Sequence, residues 1–224
     1  ELTSGPGGSQ STPNDGLPVS PQNDADSHAN MERMLEQTVG QSSRVDERGI
    51  SAPETTQMSI PEGLERGSAC EVVPGQNLKP YPGTSNGKTH NGIRVFSARL
   101  HPSSEDFLRA HFDAVESFAV VLERLCGVYS LDLSTIAIFH DPTGGTIAFN
   151  SNRALHFNVR FFFSLHYLQS KHQSRDCYSY WFTTTAHELA HHMASGHNKE
   201  HGFYTESYVA LYLPKLASLF SQLE

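Results

Sequence analysis

Residues 178–195, YSYWFTTTAHELAHHMAS, constrain this chain most, because the spacing of their side chains has chemical meaning only on a helix. Phe182, Ala186, Leu189 and Met193 recur at helical intervals and predict a buried face. Tyr180, Thr184, His187 and His191 fall on the opposite, open face. His187 and His191 stand four residues apart, so both imidazoles project from one side and can hold one metal ion. Glu188 lies beside them as the predicted general base, placed to take a proton from a metal-bound water whose pKa falls to roughly 7. Gly196 follows where a helix C-terminus would use it.

A catalytic zinc needs a third protein ligand and one open position. His197, six residues after His191, is the predicted third ligand, reached by a turn at Gly196. His201 and Glu206 are the alternatives for that place, and His201 and Tyr204 are candidates to orient a ligand or stabilise a transition state. His192 points off the ligand face. The longer pattern HExxHxxGxxH fits only partly, since Ala194 replaces its glycine and no methionine follows Met193. A second ExxH for a di-iron site is missing. In a chain with 13 histidines, HExxH arises by chance at roughly the few-per-cent level. The amphipathic helix and the further histidines weigh against chance. His90, His101, His111, His140, His156, His166 and His172 read as surface or core residues, with His156 on a strand that could flank the cleft.

Composition divides the chain near residue 91. Residues 1–90 carry 12 acidic and 6 basic side chains, a net charge of −6, and are rich in Gly, Ser, Pro and Asn. They read as a disordered, low-complexity linker with at most a short helical turn near Met31–Leu35. Residues 91–224 carry 12 and 10, a net charge of −2. Neither part has the basic footprint that phosphate tracking needs, so nucleic acid is not an expected partner. No apolar run approaches the roughly 18 residues of a membrane span. Cys70, Cys126 and Cys177 are odd in number and far apart, which argues against a disulfide framework and for a reducing, intracellular setting, cytoplasmic or nuclear. The sequence opens on Glu1, as a fragment or processed form of a larger polypeptide would.

Within residues 91–224, a helix is predicted over 103–126, capped by Ser103 or Ser104, with Phe107, Ala114, Phe118, Val121 and Leu125 on one face. Strands are predicted at 134–140, 146–150 and 154–161, with a turn at 141–145 and an apolar run at Arg160–Phe163. A last helix is expected to break at Pro214. The expected fold class is α+β and zincin-like: a backing helix, a small mostly antiparallel sheet and the HExxH helix beneath it.

HELAH followed by HNKEHGFYTES, and preceded by TIAFNSNRALHFNVRFFF, resembles the C-terminal segment of very large fungal proteins that carry a sacsin-like, Hsp90-type ATPase region near their N-terminus. The resemblance covers roughly residues 130–213. The metal motif alone is also similar to minimal zinc peptidases of the SprT type, which act on protein–DNA crosslinks. The resemblance implies a peptidase-like module, with His187, His191 and His197 as ligands and Glu188 as catalytic residue. It further implies an edge strand along the cleft, at Leu155–Val159 or Thr146–Phe149. The expected function is zinc-dependent hydrolysis of a peptide bond in a protein or peptide substrate. The alternative is a non-catalytic zinc-binding module of a larger, chaperone-like protein.

Overall fold

A computed structural model describes residues 21–50, 54–59, 70–74, 77–83 and 87–223. The elements, in chain order, are α1 (Pro21–Gly40), β1 (Glu54–Ser59), β2 (Cys70–Pro74), β3 (Leu78–Pro80), β4 (Arg94–Ala98), α2 (Ser103–Ala110), α3 (Phe112–Tyr129), β5 (Ile136–His140), β6 (Thr146–Ser151), β7 (Ala154–Asn158), α4 (Val159–Phe162), α5 (Arg175–Ala190) and α6 (Lys199–Phe220). No helix among the described residues is long and apolar enough to cross a membrane.

The described residues are mixed α+β, with one seven-stranded sheet among them in the order β2-β1-β6-β7-β5-β4-β3. It is larger than the meander expected. β4–β5 and β5–β7 pair in parallel, and the remaining neighbours pair antiparallel. Every residue of β5, β6 and β7 is buried, as befits strands covered on both faces. Ile136, Ile138, Leu155 and Phe157 face the helices. Ala137, Phe139, Phe149 and Ala154 face the other way, into a smaller layer completed by Val45 and Ile50.

α3 is the backing helix, and its apolar side carries Ala114, Val115, Phe118, Val121, Leu122 and Leu125. Phe118 packs on Phe162 and Trp181, and Trp181 meets Phe157 edge-on, so α3, α4, α5 and the sheet share one core. Truncating any of these aromatics would cost about 3–5 kcal/mol. Tyr129 joins α3 to its neighbours, donating to the Phe182 carbonyl at 2.9 Å and packing on Tyr212 of α6.

Several boundaries differ from the sequence expectation, each for a local reason. The described residues before 91 are built into the fold rather than unstructured: α1 buries Leu35, Thr38 and Val39, and β1, β2 and β3 extend the sheet. The domain therefore does not begin at 91, while residues 1–20 lie outside the described residues. The helix predicted over 103–126 is two helices, broken at His111, whose ring packs against Phe107 and Phe163. Ser104 does not cap its helix; its hydroxyl accepts from the Ala98 N–H and donates to the His140 carbonyl, tying α2 to β4 and β5. The third strand stops at Asn158, which caps α4 through the Arg160 N–H, so the apolar run 159–162 is helical. α6 runs straight through Pro214. The carbonyl left without its helical donor there belongs to Ala210, and both residues are exposed, so water can serve it.

The β6–β7 hairpin has a two-residue turn in which Asn152 and Arg153 both have positive φ (51° and 66°), the twist that such a connection requires. Asn tolerates that conformation. Arg153 is held in it by its N–H to Asn150 Oδ1 and its guanidinium to Gln41 Oε1.

Candidate metal centre

α5 begins at Ser174, whose hydroxyl accepts the Cys177 N–H. Phe182, Ala186 and Leu189 are buried, as the periodicity requires, and so is Trp181, which it did not single out; Met193, expected on the same face, lies past the helix end and is only half-buried. Thr184, expected on the open face, is also buried and back-bonds to the Tyr180 carbonyl. The helix ends at Ala190, earlier than expected and without using Gly196. His192 donates to Leu189 and both Met193 and Ala194 donate to Ala190, which tightens the last turn. His187 in that turn and His191 at its cap stand at the negative end of the helix dipole, which favours a cation.

The turn brings His197 back, and α6 delivers His201. His187, His191, His197 and His201 each offer a ring nitrogen, and these atoms lie within 4.8 Å of one another. Among the described residues no other group of three or more His, Cys, Asp or Glu side chains converges in this way. His191 Nε2 and His197 Nε2 face each other at 3.1 Å. Zn–N bonds of about 2.0–2.1 Å set neighbouring nitrogens of a tetrahedral site about 3.3 Å apart, so this spacing already suits a shared ion. His191 Nδ1–H donates to the Ala194 carbonyl at 3.1 Å, which leaves its Nε2 lone pair facing the cluster. His201 Nε2–H donates to the His187 carbonyl at 3.2 Å, one of the acceptors exposed at the helix end.

Burial, then the neighbouring His201 and His197, lower the His187 pKa to about 3. Burial, with His201 the largest of the neighbouring charges, lowers His191 to about 2, and burial, then His197, lowers His201 to about 4. All three imidazoles are therefore neutral at pH 7, the form that binds metal. The donor set is nitrogen only, which suits zinc and also accepts other late first-row ions. Residues from two helices and the loop between them thus form a cluster that could hold a metal ion.

Glu188 is fully buried, and neither carboxylate oxygen has a hydrogen-bond partner among the described residues. Burial alone pushes its pKa well above the usual carboxylate range. A buried acid with no partner is costly unless it has a task that needs it.

Other predicted site residues stand apart. Tyr204 is half-buried one turn beyond His201, and Glu206 is exposed and outside the cluster. His192 is half-buried and also outside it. His156 does not flank the cleft: its ring stacks on Phe149 at 4.5 Å and 3°, on the sheet face opposite α5. Two asparagines that sequence reasoning passed over position the site. Asn150 of β6 donates to the Glu188 carbonyl at 2.8 Å, fastening the helix end to the sheet. Asn198 caps α6 by accepting the His201 N–H at 3.0 Å, which sets the height of that imidazole. A cap-forming Asn directly before a helix is a readable signal. Asn150 left none, because its partner is distant in sequence. No protein-family model, curated protein or solved structure matches this chain.

Proposed function

We propose that this chain is a zinc-dependent hydrolase of peptide bonds, with a zincin-like site on α5 and α6. The observation that carries the reading is the convergence of four histidines around the HExxH helix, with the buried, partnerless Glu188 next to His187 in sequence. His187 and His191 would hold the ion together with a histidine from the segment that follows α5. When bound, zinc supplies Lewis acidity to a scissile carbonyl and acidity to a water molecule. The protein's own part falls to Glu188. Its carboxylate takes the proton of the attacking water on one oxygen, and later releases it to the departing amine. Burial suits this role, because a raised pKa lets the carboxyl hold the proton between the two steps. Asn150 and Asn198 keep the helix end and His201 in place meanwhile.

A second reading has an observation of its own. Four histidines can fill all four positions of a tetrahedral ion, as in a non-catalytic metal-binding module. Glu188→Gln separates the two. The zinc-loaded chain and the variant are incubated with an unfolded protein substrate and with a peptide library. Cleavage by the parent that falls about 10²–10⁴-fold in the variant, at equal zinc content, supports the hydrolase. No cleavage by the zinc-loaded parent leaves the binding module.

A further inference from the structure

The four histidines are not held alike, and the difference sorts them. His187 and His191 are fixed by α5 and by its packing against the core. His201 is equally fixed. It is 3% exposed, and it lies in line with Tyr208, Tyr212, Leu216 and Leu219, the buried face of a 22-residue helix. Its backbone N–H is capped by Asn198, and its Nε2–H is engaged by the His187 carbonyl. With Nε2 committed as a donor, the lone pair of the neutral ring is on Nδ1. His197, by contrast, belongs to the bends and turns between α5 and α6. It is half-buried, as His187 and His191 are, but Ser195 and Asn198 beside it are exposed, and the space around Gly196 is open.

We propose that His187, His191 and His201 form the fixed ligand trio of this site, and that His197 is a detachable fourth ligand that closes it. The inference rests on the metal-site reading above and not on hydrolysis. His191 and His197 would bind through Nε2, and His201 through Nδ1. When the loop moves, His197 Nε2 leaves as a neutral donor and one position opens to an outside oxygen donor. No proton or electron changes hands in that exchange. The closed state satisfies the ion with four nitrogens, and the open state has the three-ligand arrangement that chemistry requires. One loop thus converts a storage-like site into a reactive one.

The test uses the full chain loaded with one equivalent of zinc or cobalt. X-ray absorption on the zinc form should count four imidazoles in the parent and three plus one light oxygen in His197→Ala. Chelator competition should show zinc binding weakened about 10-fold or less in His197→Ala, and about 100-fold or more in His201→Ala and His201→Gln. The cobalt spectrum of His197→Ala should shift on adding azide at concentrations that leave the parent unchanged. Because His201 is buried, its variants are compared only where circular dichroism shows a folded chain; the absorption and azide arms do not depend on them. Three imidazoles in the parent and two in His197→Ala would overturn the assignment. So would equal azide responses in the two proteins, or a parent that takes up no metal. Stoichiometric zinc with no peptide cleavage would end the hydrolase reading and leave this one standing.

Discussion

His156 offers a calibrated test of the core beneath the site. Its ring is 1% exposed, stacked on Phe149, with Nδ1–H donating to the Ala154 carbonyl at 3.2 Å. Burial, partly offset by that bond, lowers its pKa to about 4 from 6.5. In the unfolded chain the same imidazole takes up its proton near 6.5. Between those two values the unfolded state holds more protons, so stability falls as pH falls. Each pH unit in that window costs about 1.4 kcal/mol. Lowering the pH from 7 to 5 should therefore remove about 2 kcal/mol through this one residue, with a ceiling of about 3.4 kcal/mol at lower pH. His156→Phe keeps the stack and abolishes the titration. Urea unfolding of the metal-free parent and variant at pH 7 and pH 5 isolates the term, because the other histidines are common to both. The variant should be within about 1 kcal/mol of the parent at pH 7 and gain about 2 kcal/mol on it at pH 5. Unfolding curves that keep the same separation at both pH values would mean that the folded protein admits the proton, and that the sheet face behind α5 is not dry.

Three other outcomes follow from the same coordinates. Asn198→Ala removes the α6 cap and should cost about 1 kcal/mol in urea unfolding, with zinc binding weakened about 10-fold; unchanged zinc affinity would show that the cap does not position His201. Leu35→Ala should cost about 2–5 kcal/mol, and a variant as stable as the parent would mean that α1 does not pack on the core. Zinc at about 100 times its dissociation constant should add about 2.7 kcal/mol to thermal stability, and a chelator should remove it; an unshifted melting temperature would argue that no ion binds the folded state.

What could be read in advance was local. The α5 helix, its buried face and the nearness of His187 to His191 follow from a 3.6-residue period written out in 18 residues. The arrival of His201 could not be ranked above that of His197, because it depends on how α6 packs against α5. The length of α1, of which only a turn near Met31–Leu35 was expected, and the outer strands were missed for another reason. α1 buries few large apolar residues, Leu35 and Val39, within a polar stretch, and ETTQMS, CEVVP and LKP are too short and too mixed to announce strands. α1 and β1 hold their places through partners far along the chain, Met193 and β6. Pro214 misled for the opposite reason. A rule about helix interiors was applied where the helix face is wet and the lost bond costs little.

One of those distant contacts also sets a timetable. The Thr38 hydroxyl of α1 meets Met193, just past α5, 155 residues later. At roughly 5–20 residues per second of synthesis, α1 waits about 8–30 s before the surface it packs on has been made. Through that interval the core that Met31, Met34 and Leu35 pack against is incomplete, and the histidine cluster cannot yet form. Newly made chains should therefore pass through a stage in which the apolar side of α1 is not yet packed. His201 comes into place only once α6 has been made and packs beside α5.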